Sequence, residues 1–120
     1  MWNNEMEWEI EVSDEFADWY QGLSDDEMES VTYSVDLLGS VGPLLGRPHV
    51  DTIKGSRIPN LKELRVQHGG RPIRILFAFD PHRVGYLILG GDKTGQASWY
   101  EDWFPKAERI YAKHLKEIGA

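Results

Sequence analysis

Six basic residues, Lys54, Lys62, Arg65, Arg71, Arg74 and Lys93, fall in the middle of a chain whose formal net charge is −7. Arg65 and Arg74 each sit inside an alternating apolar run, Leu61–Gln67 and Pro72–Asp80, and Lys93 follows the glycines of Gly90-Gly91-Asp92-Lys93. A guanidinium offers a planar fork of donors that fits a phosphate in two-point fashion, and a lysine adds a mobile point charge. Fixed cations of this kind stabilise the charge that builds on phosphate oxygens during displacement at phosphorus. The blander alternative is ion pairing within the fold, Arg65 with Glu63 or another acid and Arg74 with Asp80 or Asp92. Against it stands the number of bases in this stretch. Residues 43–100 carry nine Lys or Arg and four acids, whereas residues 1–42 carry twelve acids and no Lys or Arg. A phosphate-rich partner responds to the local field and not to the global charge. The acidic part reads equally well as a solvated helical face.

Other chemistries find less support. Cysteine is absent, so there is no thiol nucleophile and no disulfide framework. His49, His68, His82 and His114 show no ligand spacing and no accompanying carboxylate motif, so no metal site and no cofactor are expected. The glycine pairs Gly69-Gly70 and Gly90-Gly91 match neither a P-loop nor a dinucleotide fingerprint. Among the histidines, His68 is the one whose turn is expected near the basic face. Met1-Trp2-Asn3-Asn4-Glu5 lacks the basic and apolar regions of a secretory leader, and no run is long and apolar enough for a membrane span. The expected location is therefore cytoplasmic.

The elements that must hold these residues follow from periodicity. Glu7–Val12 alternates acid and apolar, as a half-buried strand does. Ser13 starts a helix whose Phe16, Trp19, Tyr20 and Leu23 share a face, and Ser24-Asp25-Asp26-Glu27 fits a capping box for a second helix with Met28, Val31, Val35 and Leu38 inward. Residues 43–60 read as irregular. Leu61–Gln67, Pro72–Asp80 and Arg83–Gly90 read as strands joined by short turns, hence antiparallel neighbours. Pro105 is expected to open a last helix. The order β-α-α-β-β-β-α describes one α+β domain over residues 1–120, with helices on one face of a small antiparallel sheet. Alternation puts Leu64, Val66, Ile73, Ile75, Phe77 and Phe79 toward the helices. Arg65 and Arg74 then share the helix-free face with Leu76 and Ala78, and a glycine turn brings Lys93 to it.

Leu61-Lys62-Glu63-Leu64-Arg65, Ile73-Arg74-Ile75-Leu76-Phe77, Gly90-Gly91-Asp92-Lys93 and Tyr111-Ala112-Lys113-His114-Leu115, in this order and spacing, resemble the HigB branch of the RelE/ParE toxin superfamily. The resemblance implies two N-terminal helices against an antiparallel sheet. It also implies the toxin of a type II toxin–antitoxin system, a metal-independent endoribonuclease that cleaves messenger RNA on translating ribosomes. In such cleavage the ribose 2′-hydroxyl attacks the adjacent phosphate. Carried over, Arg65, Arg74 and Lys93 match the catalytic cations. Lys54 and Lys62 match flanking basic positions; Arg71 and His68 are RNA-binding candidates from the basic stretch itself and not from the resemblance. Tyr100 matches a tyrosine that stacks on a base, and Trp99 is an equal candidate. No residue matches a general base outright; Asp92 and His68 are the candidates. The implied partner is a helix-turn-helix antitoxin of the HigA kind, in a toxin–antitoxin hetero-oligomer, and a basic antitoxin segment would suit the acidic N-terminal region. Two other readings are a ParE-like toxin that inhibits gyrase and a non-catalytic binding module of the same fold.

Overall fold

The computed structural model describes residues 7–120, so the expectation about a leader at Met1–Glu5 lies outside the described residues. Along the chain come β1 (Ile10–Val12), α1 (Asp14–Gln21), α2 (Asp25–Val41), a 3-10 turn (Gly42–Leu44), β2 (Val50–Thr52), β3 (Lys62–His68), β4 (Arg71–Phe79), β5 (Gly85–Asp92) and α3 (Trp99–Glu117). The strands form one five-stranded sheet in the order β1-β5-β4-β3-β2. This is the expected α+β order with three differences. The sheet is mixed, because β1 runs parallel to β5 while the other pairs are antiparallel. The irregular stretch contains β2, whose three residues are too few for a period to show. Finally, α3 begins at Trp99 and carries Pro105 in its interior. Burial of Trp99 and the partial burial of Tyr100, Trp103 and Phe104 against the sheet outweigh the hydrogen bond the proline lacks.

Local chemistry explains the first two helices. Ser13 caps α1 by accepting from Phe16 N at 2.9 Å. Ser24 and Glu27 close the capping box of α2, each side chain accepting from the other's backbone N–H at 3.2 and 2.8 Å. Phe16, Val31, Val35 and Leu38 pack on Leu64, Val66, Ile73, Ile75, Phe77 and Leu87, one core on one face of the sheet. The opposite face is not helix-free. Trp99, Ala107 and Tyr111 of α3 cover Leu76, Ala78, Ile88 and Leu89 in a second core. The sheet is thus the middle layer of three, and Arg65 and Arg74 lie on the α3 side.

A bulge in β5 decides what else reaches that side. Phe77 pairs with Leu87 and Leu76 with Leu89, so Ile88 is the extra residue. Its carbonyl accepts the Ser13 hydroxyl at 2.6 Å. Because Ile88 and Leu89 both join the α3 core, alternation is reversed beyond them. Gly90 then faces α1, under Trp19, and Gly91 faces α3, under Trp103. Lys93 is carried to the α3 side for the same reason.

Candidate active site

Arg65 and Arg74 are direct cross-strand partners on β3 and β4. Like charges in this position repel. The structure answers with Glu63, two residues before Arg65 on the same face and fully buried. Its Oε2 lies 3.2 Å from Arg65 Nε, and its Oε1 lies 3.8 Å from Arg74 Nε. The Tyr100 hydroxyl, from the first turn of α3, donates to Glu63 Oε1 in a short hydrogen bond. Lys93 Nζ donates to the same phenol oxygen at 3.1 Å and sits 4.7 Å from the ring centroid. Burial, then the hydrogen bond to Glu63 and its charge, push the Tyr100 phenol up, so it stays protonated at neutral pH. Asp51 on β2 meets Arg65 Nη2 at 3.3 Å; its carboxyl is held below the ordinary range first by a hydrogen bond from Arg47.

One carboxylate therefore holds two guanidiniums and a phenol, and the phenol holds an ammonium. Arg65 and Arg74 keep 33% and 18% of their side chains exposed while Glu63 keeps none, so the cations face outward and the anion does not. Arg74 spends one donor on the Ile73 carbonyl at 3.0 Å, and its buried Nε makes no hydrogen bond. A guanidinium has five N–H donors. The remainder suit an incoming oxyanion.

The sequence-derived residues divide accordingly. Arg65, Arg74, Lys93 and Tyr100 are brought together. Trp99 is 1% exposed and stacks on Trp103, 4.7 Å between centroids, so it is core and not a platform for a base. His68 stands apart from the Glu63 cluster: it lies on the α2 side, with Nδ1 2.8 Å from Ser30 Oγ, and shares with Arg65 the groove beside Tyr33. Arg71 also faces α2, pairing with Glu27 at 2.7 Å and Asp92 at 2.9 Å, a tether between helix and sheet. Asp92 is occupied by that pair and by Thr94, whose hydroxyl and N–H chiefly hold its carboxyl below the usual range. Alternation puts Lys62 on the face opposite Glu63, its Nζ 3.5 Å from Thr52 Oγ1. Lys54 is exposed in the loop after β2, and no described contact joins it to the Glu63 cluster. The alternative pairs for Arg74, Asp80 and Asp92, do not form: Asp80 holds His114 at 2.8 Å on the far end of α3. In the sequence Glu63 reads only as a neutralising partner of Arg65. The signal that could have promoted it is its place two residues from an arginine in an apolar strand, on the arginine's own face. Among the described residues, no group of three or more His, Cys, Asp or Glu side chains could hold a metal ion.

A family model described as phage-derived protein Gp49-like matches residues 18–112, which span the whole cluster and most of α3. The chain belongs to this Gp49-like family. Two relatives from Mycobacterium tuberculosis carry toxin names. One named toxin HigB3 is 50% identical over 92 residues, 76% of this chain and 79% of that protein. One named toxin HigB2 is 39% identical over 113 residues, 92% of this chain and 56% of that protein. The HigB likeness drawn from the strand motifs is thus shown by relatives across the chain. No solved structure matches it. Among the described residues, no helix is long and apolar enough to cross a membrane.

Proposed function

We propose that this chain is the toxin of a toxin–antitoxin pair and acts as a metal-independent endoribonuclease on messenger RNA during translation, silenced by its antitoxin. The observation that carries the reading is the convergence of Arg65, Arg74, Lys93 and Tyr100 on one buried carboxylate. Relatives named as HigB toxins support the toxin half of the reading. For the chemistry, the RNA 2′-oxygen forms a bond to the adjacent phosphorus as the bond from phosphorus to O5′ breaks. One proton leaves the 2′-hydroxyl and one is gained by O5′, leaving a 2′,3′-cyclic phosphate and a 5′-hydroxyl. Arg65 and Arg74 grip the phosphate oxygens, where negative charge grows in the transition state. Lys93 adds charge from the α3 side. Tyr100, whose one hydroxyl proton is donated to Glu63, holds the Lys93 ammonium by accepting from it, and Lys93, with N–H donors to spare, gives the proton to O5′.

The test is to map messenger RNA ends after a short pulse of expression. Wild type is expected to yield new 5′-hydroxyl ends and growth arrest, and the Arg65→Ala/Arg74→Ala/Lys93→Ala variant neither. Arrest with intact messenger RNA and blocked DNA supercoiling would replace cleavage by gyrase inhibition. Equal arrest by both proteins would remove these residues from the activity.

A further inference from the structure

The large hydrophobics exposed among the described residues are Tyr33 at 71%, Val41 at 39% and Leu44 at 91%. All three lie on α2 or the 3-10 turn that follows it. Tyr33, the half-buried Leu37 and Val41 recur every four residues, so they form one stripe along the helix, and Leu44 is exposed in the 3-10 turn that follows. A helix that already buries Val31, Val35 and Leu38 has no folding use for a second apolar stripe on its outer side. Three such residues gathered on one helix and the turn after it read as an unfilled contact and not as scattered surface apolars. Tyr33 also borders a groove of ≈ 540 Å³ that Asp26 and Glu29 line on the helix side and His49, Arg65, Gln67 and His68 line on the other.

The charges beside the stripe say what covers it. Asp26, Glu29 and Asp36 have no basic partner among the described residues, and residues 1–42 contain no Lys or Arg at all. A second copy of this chain would set acid against acid. RNA would be repelled. The stripe and the acids beside it fit a segment with apolar anchors flanked by lysine or arginine.

We infer that the outer face of α2, Tyr33-Leu37-Val41-Leu44 with Glu29 and Asp36 beside it, is the docking surface for an amphipathic, basic segment of the antitoxin. This rests on the toxin reading above. It adds that the antitoxin anchors on the outer stripe of α2, away from Arg74, with only the groove at the Tyr33 end reaching Arg65. Holding and cleaving are then separable by mutation. An exposed aromatic beside a groove is the usual anchor of such a contact.

The experiment uses the full chain and its cognate antitoxin, expressed together and also purified separately. Tyr33→Ala/Leu44→Ala is expected to arrest growth as wild type does, to escape rescue by the antitoxin, and to bind it about 100-fold more weakly. Tyr33→Phe should bind as wild type. Glu29→Gln/Asp36→Asn should weaken binding and flatten its dependence on salt. Because the changed residues are exposed, thermal melting should match wild type, which separates a lost contact from a lost fold. Unchanged affinity and full rescue for Tyr33→Ala/Leu44→Ala would overturn the assignment. So would a wild-type dimer that the double variant dissolves without change in antitoxin affinity. If the wild-type chain proves harmless, the toxin reading fails, while the binding measurement still decides the surface.

Discussion

Arg65 and Arg74 stand opposite each other on neighbouring strands, a placement that costs stability unless something offsets it. Glu63 is that offset, and it is wholly enclosed. A buried anion shared by two cations is costly to remove from one side, since it leaves guanidiniums facing each other with nothing between. Glu63→Gln keeps the shape and deletes the charge. It is expected to lower unfolding free energy by about 2–3 kcal/mol, discounted because both arginines are partly solvated, and urea denaturation would measure it. A variant as stable as wild type would mean that Glu63 is a bystander. At this scale the sequence was partly legible. Strand alternation alone puts Arg65 and Arg74 on one side. The depth of Glu63 was not legible, because its cover, Tyr100, comes 37 residues later and meets it only once α3 is docked. Trp99 and Tyr100 looked equivalent for the same reason. Adjacent helical positions point about 100° apart, and only the packing says which of them enters the core.

Among the elements, the β5 bulge and α3 set the site. The bulge at Ile88 exchanges the faces of Gly90 and Gly91, and with them of Lys93. A Cβ on Gly91 would come 2.5 Å from the Trp103 ring, and one on Gly90 would come 2.3 Å from Trp19. Both alanine variants should lose about 1–3 kcal/mol by overpacking. Only Gly91→Ala should also displace the α3 end that carries Tyr100, so RNA cleavage should fall in it well beyond the loss shared with Gly90→Ala. Equal activity in two equally destabilised variants would argue against α3 docking as the organiser. At its other end α3 is fixed by His114, which stacks on Tyr86 with 3.6 Å between centroids and reaches Asp80 at 2.8 Å. Burial first, then Glu15, Glu117, Asp14 and Glu11, push the Tyr86 phenol up to about 12. Its folded value exceeds its unfolded one, so the unfolded chain releases the proton first. The stability it contributes is whole below about pH 10 and is lost as pH rises toward 12. Tyr86→Phe should flatten the alkaline fall of the melting temperature in that window, and an unchanged fall would assign it to other groups. Helices with caps and strands of seven to nine residues were readable from period and turn chemistry. The bulge, the three-residue β2 and the start of α3 were not, since each is decided by contacts distant in sequence.

Across the whole molecule the three layers sort charge as well as apolar surface. The layer of α1 and α2 holds acids without Lys or Arg, and the basic set of β3, β4 and β5 lies partly on the other side. A net charge of −7 therefore does not oppose RNA at the α3 face, since beyond about 10 Å at 0.1 M salt the acidic layer is largely screened. What remains is a short-range site built on Arg65, Arg74 and Lys93, and its salt response can be stated in advance. Single-stranded RNA releases about 0.7 counterion per phosphate neutralised. Three cations then give a slope of about −2 in log affinity against log salt. Arg74→Ala should make that slope shallower by about 0.7, with the same loss on every sequence tested, because a phosphate contact carries no base information. Filter binding of a non-cleavable 2′-deoxy oligonucleotide across a salt series measures both quantities. A slope that Arg74→Ala leaves unchanged would place the RNA elsewhere. A slope much steeper than −2 would bring in further cations, and Lys54, exposed beyond β2, is the first to replace.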